Sequence, residues 1–336
     1  MRPLPTTPGG LSSPSTTTNG SHGRVGDTLA ILGCGVMGTA VLLGVLSAQT
    51  SGHKMPGESS LPSRFKACVR RVEAAESIRS KLPSGALGST VDLHIKDNVS
   101  AVQNSELVLL ACQPHLFKSV LEEPGMATAL RGKLIISVLA GVTAHEIESH
   151  LELLATKDSS STDSLDGAFS AIRVMPNIAS AVQASSTMLE ARARQDRPLP
   201  ERFAATACEI FSCVGTVFTT PPETFPICTT LNGSTPAFFA MVIDGLVDGA
   251  VALGLSRSEA TQMAAATMRG TAELILNGKT TQDLRYEVAC PGGSTIQGLR
   301  TLEEARTRAV WMDAMRASTS EQSSLREGLK VQRKSS

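Results

Sequence analysis

Two glycine-rich turns, one near each end of the chain, could do chemistry by holding an anion against the start of a helix. The first is Gly33-Cys34-Gly35-Val36-Met37-Gly38. It is entered directly from the apolar run Leu29-Ala30-Ile31-Leu32 and is followed by small and apolar residues from Thr39 to Leu46. Strand, glycine turn and helix is the context in which G-x-G-x-x-G holds a dinucleotide. Gly33 permits the tight turn, Gly35 lets backbone approach a pyrophosphate, and Gly38 allows the helix to pack closely on the strand. Phosphate charge then meets the unpaired N–H groups of the helix start. The alternative is a merely tight strand-to-helix turn.

The second turn lies deep in an otherwise helical half, in Cys290-Pro291-Gly292-Gly293-Ser294-Thr295. Pro291 stops the preceding helix, Gly292 and Gly293 free the backbone for an anion nest, and Ser294 and Thr295 can start the next helix as caps. A carboxylate is the expected guest, because helix N-termini favour negative charge and hydroxyls add directional hydrogen bonds. The plainer alternative is an ordinary helix cap after a Pro-Gly turn.

The elements that must position these turns differ between the halves. Strands are expected at Leu29 to Leu32, Phe65 to Val69, Val91 to Ile95, Leu107 to Ala111, Leu134 to Val138 and Ala171 to Val174, with helical intervals between most of them. That alternation predicts a parallel sheet with helices on both faces, an α/β Rossmann-type domain. Its carboxyl edge, where open α/β sheets bind ligands, should carry Ala111-Cys112-Gln113-Pro114 and Val138-Leu139-Ala140-Gly141. Arg70 and Arg71 follow the second strand, where an NAD-preferring fold would place an acid. Two guanidinium forks suit the 2′-phosphate of NADP instead, the alternative being a solvated pair that opens a helix. Ser47 to Ser63 and Lys157 to Gly167 read as polar loops.

From Arg202 onward strands are scarce and 3.6-residue patterning takes over, as in Phe238, Val242, Gly245, Leu246, Gly249 and Leu253, and again in Met263, Ala264, Met268, Ala272 and Ile275. Glycines inside a helix cost about 1 kcal/mol each relative to alanine. Close packing of small-residue faces is the expected return, and a helical domain that interlocks with a second copy follows. The expected organisation is a disordered lead over 1–27, a nucleotide-binding domain over 28–200, a helical dimerisation and substrate domain over 201–320, and a disordered tail over 321–336.

Composition excludes several classes. With 41% hydrophobic residues and a formal net charge of zero over 336 residues, the chain reads as an ordinary soluble protein. No nucleic-acid partner is expected, since basic residues are scattered and aromatics make up only 3%. No membrane is expected either: Leu29 to Leu46 and Ala237 to Leu255 are interrupted by glycines, polar residues or Asp244 and Asp248. Seven cysteines without a C-x-x-C pair read as reduced core residues, and six dispersed histidines argue against a metal. A cytoplasmic location is expected. Arg2 and Arg24, with no acid before Asp27, leave a mitochondrial presequence as the alternative, opposed by the prolines and glycines around them.

The stretch from Leu231 to Leu302 resembles pyrroline-5-carboxylate reductase. The resemblance is carried by Asn232-Gly233-Ser234-Thr235-Pro236-Ala237-Phe238, Asp248-Gly249-Ala250, Gly254-Leu255-Ser256-Arg257 and Pro291-Gly292-Gly293-Ser294-Thr295-Ile296. It extends over about residues 29 to 318 and includes Arg173-Val174-Met175-Pro176-Asn177. It implies an N-terminal Rossmann domain, an all-helical C-terminal dimerisation domain, NADPH or NADH as hydride donor, a homo-oligomer built from dimers, and reduction of 1-pyrroline-5-carboxylate to L-proline. By position, Gly33, Gly35, Val36, Met37, Gly38, Arg70, Asn98, Ala111, Cys112, Gln113 and Pro114 would line the cofactor. Val288, Cys290, Gly292, Gly293, Ser294 and Thr295 would line a cyclic imine carboxylate, with Thr295 the best single candidate for its carboxylate.

Departures from the family pattern cluster at this site. Cys290 stands where the family has Ser, Leu284-Arg285-Tyr286 replaces Leu-Lys-Asp, Asn232 opens the Ser-Gly-Ser-Gly-Pro element, Gln113 replaces Lys, and Ala305-Arg306 replaces a Gly-Gly pair. These imply either a related cyclic imine acid as substrate or neutral divergence. A β-hydroxyacid dehydrogenase would need a lysine in a helix, yet Lys279 is the only lysine between Lys157 and Lys330 and sits in a Gly-Lys-Thr-Thr turn. A catalytically silent NADPH-binding protein is the remaining alternative.

Overall fold

The computed structural model describes residues 26–50, 61–85, 88–158, 169–192 and 197–332. The expected lead, save Gly26 and Asp27, lies outside them, as do most of the loop expected over Lys157 to Gly167 and residues 51–60 of the loop after the first helix. The strands are β1 (Thr28–Leu32), β2 (Arg64–Val69), β3 (Val91–Ile95), β4 (Leu107–Leu110), β5 (Leu134–Ser137), β6 (Ser170–Met175), β7 (Ser185–Glu190) and β8 (Gly215–Thr220). The helices of the sheet-bearing part are α1 (Val36–Thr50), α2 (Val72–Arg79), α3 (Asn98–Gln103), α4 (Phe117–Leu121), α5 (Met126–Leu130), α6 (Ala144–Asp158), α7 (Glu201–Ser212) and α8 (Phe225–Thr229). Beyond them come α9 (Thr235–Ala252), α10 (Arg257–Leu276), α11 (Thr281–Val288), α12 (Ser294–Glu304) and α13 (Thr307–Gln332).

All eight strands form one sheet in the order β3-β2-β1-β4-β5-β6-β7-β8. The central strands read as unbroken apolar runs because both faces are covered. Successive residues alternate between two cores. Leu29, Ile31, Leu107, Leu109, Leu134 and Ile136 face α1 and α7, whereas Ala30, Leu32, Val108, Leu110 and Ile135 face residues of α3, α5 and α6. Helix α1 is buried along most of its length, from Gly38 to Leu46 except Leu43. Its Gly44 lies so close to the chain leading into β8 that a Cβ there would sit 2.4 Å from Val214 Cγ1.

The expected parallel sheet forms, with one antiparallel step where β7 pairs with β6. The connection between them holds only the short helical turn Ile178–Val182, too little chain for a crossover. Both unexpected strands, β7 and β8, are Ser/Thr-rich, so an apolar-run criterion passes over them although threonine suits a pleated strand.

The chain divides into two compact units at Gly233 and Ser234 rather than at residue 200. The reason is that α7 buries Phe203, Ala207, Ile210 and Phe211 in the sheet's core, and β8 belongs to the sheet. At the other end α13 runs to Gln332, so residues 321–332 are helical where a structureless tail was expected.

The second unit is punctuated by sequence. Helix α9 ends in a Schellman motif, with Gly254 at φ 103, Gly254 N–H donating to Val251 O at 2.9 Å and Leu255 N–H to Ala250 O at 3.1 Å. Ser256 then caps α10 by accepting from Glu259 N–H at 3.3 Å. The pattern repeats after α10 with Gly278 at φ 97 and Thr280, which accepts from Asp283 N–H at 3.1 Å. Yet hardly anything is buried: Thr235 and Val247 in α9, Ala260 in α10, and nothing in α11 or α12. By length and composition the run Phe225–Ala252 could cross a membrane, and 11% of its apolar window is buried.

Candidate active site

The first turn is built by close packing. Gly33 has φ 83, and a Cβ there would lie 2.6 Å from the Cα of Cys112 at the end of the adjacent strand β4. Gly38 faces Ile31 of β1, whose Cγ2 would be 2.9 Å from an added Cβ. Gly35 is different: the nearest atom to an added Cβ is the Gly33 oxygen at 4.0 Å, so its surface is open. Each glycine therefore meets the constraint expected of it: turn, open approach, and helix-on-strand packing. The first helical bond is Thr39 N–H to Gly35 O at 2.9 Å. The N–H groups of Val36, Met37 and Gly38 precede it and find no acceptor inside the helix. A pyrophosphate fits this cradle by both shape and charge.

The remaining first-group residues gather along the same carboxyl edge. Ala111 N–H donates to Leu32 O at 2.9 Å, which locks the end of β4 beside the cradle. Cys112 is half-buried, and burial pushes its thiol up to about 11, partly opposed by a backbone hydrogen bond and by Arg70. Gln113 and Pro114 open a short helical turn, with Gln113 exposed and not serving as a side-chain cap. Arg70 and Arg71 are exposed just past β2. Arg71 sits at the N-cap of α2 without a capping side-chain bond. Asn98 begins α3, and its Nδ2 donates to Glu123 Oε1 at 2.6 Å, leaving Oδ1 as the acceptor. Glu123 was not singled out from the sequence, because a carboxylate 25 residues away carries no local signal.

The same edge carries exposed apolar side chains and a buried polar knot. Val36, Ile178 and Val182 are exposed apolar side chains, at 77%, 67% and 73%. Asn177 is a knot: its N–H donates to Ser185 Oγ, its Oδ1 accepts from Ala179 N–H, and its Nδ2 donates to Asn232 O at 3.2 Å. Asn232, buried at 3%, donates through Nδ2 to Met175 O at 2.7 Å from a π-helical turn, Thr230–Ser234. The departure from serine at 232 thus supplies an amide long enough to reach the end of β6. Arg173 of the same strand is buried over the ring of Phe225 at 4.4 Å and pairs with Glu190 at 3.7 Å.

The second turn belongs to the helical unit. Helix α11 stops at Val288, three residues before Pro291, whose fixed φ suits the turn position. Gly293 N–H donates to Cys290 O at 3.0 Å across Pro291 and Gly292, and Gly292 has φ 71. Proline then a left-handed glycine is a type II turn. The N-cap of α12 is Gly293, not Ser294 or Thr295, which correspond to the first two helical positions. The expected capping role is corrected: the N-cap glycine, with φ −74 and ψ 166, has no side chain to accept from the helix, and the first N–H groups find no partner within it. Both hydroxyls are consequently left for something other than the helix's own backbone. Thr295 is half-buried, whereas Ser294, Cys290, Val288 and Tyr286 are exposed, Tyr286 at 87%. Lys279 forms an ion pair with Glu287 in its turn, as befits an exposed structural lysine. Among the described residues no group of three metal-ligating side chains exists.

Comparison with known proteins matches each half to a family model and the whole chain to one family. Residues 222–325 match the family model described as pyrroline-5-carboxylate reductase dimerisation, and residues 28–141 match that described as NADP oxidoreductase, coenzyme F420-dependent. The chain is 40% identical over 314 residues to a delta-1-pyrroline-5-carboxylate reductase of Curvularia clavata, covering 89% of this chain and 96% of that one. It is 37% identical to the pyrroline-5-carboxylate reductase of Neurospora crassa, covering 87% and 91%. Among solved structures, the pyrroline-5-carboxylate reductase of Coxiella burnetii superposes with a TM-score of 0.71 at 26% identity over 90% of this chain and 98% of that one. A nicotinamide-dependent Rossmann unit joined to a dimerisation segment, with relatives matched over nearly their whole length, leaves one conclusion: the chain belongs to the pyrroline-5-carboxylate reductase family.

Proposed function

We propose that this protein reduces 1-pyrroline-5-carboxylate to L-proline, using a reduced nicotinamide dinucleotide. The observation that carries the reading is the pair of glycine turns, each opening a helix whose first N–H groups or hydroxyls have no partner in the helix itself. When bound, the cofactor supplies a hydride to the imine carbon, and a proton from solvent completes the secondary amine at nitrogen. The chain's task is then to bind and orient. Val36 to Gly38 hold the pyrophosphate, and Ala111 to Pro114 with Asn98 line the cofactor. Ser294 and Thr295 hold the substrate carboxylate with backbone N–H groups and hydroxyls, beside Val288, Cys290, Gly292 and Gly293. Orientation alone is worth ~7–11 kcal/mol of barrier. No side-chain nucleophile is needed, which agrees with the exposed, ion-paired state of Lys279.

NADPH is the proposed donor, because Arg70 and Arg71 stand where an NAD-preferring fold places a carboxylate. A homodimer is the proposed unit of assembly. Helices α9 and α10 line an apolar groove of about 730 Å³ that includes Phe239, Leu246, Met263, Met268 and Ile275, with Phe239 and Met263 more than half exposed. Covering that face with a second copy accounts for the exposed apolar side chains of Phe225–Ala252 without a membrane.

Purified protein should oxidise NADPH when given pyrroline-5-carboxylate, and a panel of pyrroline and piperideine carboxylates would fix ring size. Oxidation that no member stimulates would reject the assignment. Thr295→Ala should raise substrate KM about tenfold, the scale of a charge-assisted hydrogen bond, with cofactor KM unchanged. Parallel loss of both would show that the second turn does not hold the substrate.

A further inference from the structure

We propose that Lys96 is a third cation of the cofactor's 2′-phosphate site and a determinant of NADPH preference. This rests on the reading of Arg70 and Arg71 given above. Parallel pairing sets Val69 opposite Ile95, so Arg70 and Lys96 are the first residues beyond the carboxyl ends of neighbouring strands. Strands in a sheet lie about 5 Å apart. A hydrogen bond fixes the juxtaposition: Lys96 N–H donates to Val69 O at 3.0 Å, immediately before the arginine pair.

The backbone of Lys96 is unusual. It has φ 53, one of three positive values on non-glycine residues among the described residues. A left-handed conformation is unfavourable for a lysine, and asparagine or glycine would adopt it more readily. It turns the chain at once from β3 into Asp97 and the start of α3. Strain of this kind concentrates where a side chain must be placed.

Charge gives the placement its meaning. Arg70, Arg71 and Lys96 are all exposed, and none forms an ion pair among the described residues. Among the nearby acids, Asp97 lies 3.1 Å from His94 Nδ1 and Asp92 lies 3.8 Å from Lys66, while Glu73 in the first turn of α2 is exposed and forms no ion pair among the described residues. Three cations without an ion-pair partner, outnumbering the unpaired acids beside them at one corner of the sheet, suit a dianion, which a ribose 2′-phosphate is and a ribose 2′-hydroxyl is not. The arginine forks can engage phosphate oxygens in pairs while the compact ammonium adds a third charge.

Lys96→Asn removes the charge and tolerates the backbone conformation, and Lys96→Arg restores the charge. In the full-length enzyme, Lys96→Asn should raise KM for NADPH roughly three- to fivefold, the scale of one solvent-exposed ion pair, with NADH KM and both kcat values unchanged. Inhibition by 2′,5′-ADP should weaken by the same factor, and Lys96→Arg should restore both. Equal changes for NADPH and NADH, or no change for either, would overturn the proposal. The Arg70→Ala, Arg71→Ala double variant separates the two levels. If it erodes NADPH preference while Lys96→Asn does not, only the role of Lys96 falls. If the double variant leaves the preference intact, the 2′-phosphate site itself is misplaced and Lys96 falls with it.

Discussion

The two glycine turns look alike in sequence and are held by different means. At Gly33 and Gly38 a methyl group would strike neighbouring strands, so the turn is fixed by a core complete within one chain. At Gly292 φ is 71, yet an added Cβ would meet nothing within 4 Å. The contrast extends to the units around them. Strands β1, β4 and β5 are buried at every position, whereas α11 and α12 bury no side chain at all. The nucleotide turn is a finished structure; the second is a backbone conformation presented by helices that expose apolar surface.

The largest test of this contrast is Gly33→Ala. Overpacking against Cys112 costs about 1–3 kcal/mol and the left-handed backbone about 1–2 kcal/mol more. Thermal melts should show a loss of about 3 kcal/mol, and near-wild-type stability would mean the cradle yields. Next comes Met263→Asp in the α9–α10 groove. A carboxylate there should weaken self-association by about 2 kcal/mol, read by sedimentation across a concentration series. Unchanged association would show that this face is not where copies meet.

Gly292→Ala should cost only about 1–2 kcal/mol, the backbone term alone. A loss as large as that of Gly33→Ala would reveal that the second turn packs against something beyond its own unit. The smallest effects concern cysteines. Burial pushes Cys34 up to about 11 and Cys68 up to about 12, from an ordinary 9.0. Between pH 9 and about 11 to 12 the unfolded chain releases protons that the folded chain keeps, so stability falls as pH rises through that window. Melts at pH 8 and pH 10 check the sign. Iodoacetamide at pH 8 should label exposed Cys290 before either cradle thiol; mass spectrometry showing the reverse order would contradict the burial contrast.

Much of this molecule was legible before any coordinates. The six expected strands all exist, within one residue of their expected ends. Strands β1, β4 and β5 were legible because buried parallel strands must be apolar on both faces, whereas the edge strand β3 buries no residue and alternates Val91, Leu93 and Ile95 with Asp92 and His94. What escaped were β7 and β8, whose Ser- and Thr-rich sequences become strands by joining a sheet already formed. The domain boundary moved for the same reason: α7 carries a helical pattern either way, and only packing shows that its apolar face belongs to the sheet. Ser294 and Thr295 were legible as polar groups at a helix start, but which residue caps the helix depends on the dihedral angles of Gly293.

By itself the sequence determined the kinds of site: glycines where backbone must turn or approach, arginines where a carboxylate would otherwise stand, caps and Schellman glycines that divide the helices. These are local constraints, set by one residue's conformational range or charge. Tertiary structure decided the adjacencies. Parallel register puts Lys96 beside Arg70, Glu123 reaches Asn98 across 25 residues, and Asn232 spans from a π-helical turn to Met175. No periodicity encodes such contacts, because they arise from where separate elements end once a common core has fixed their registers.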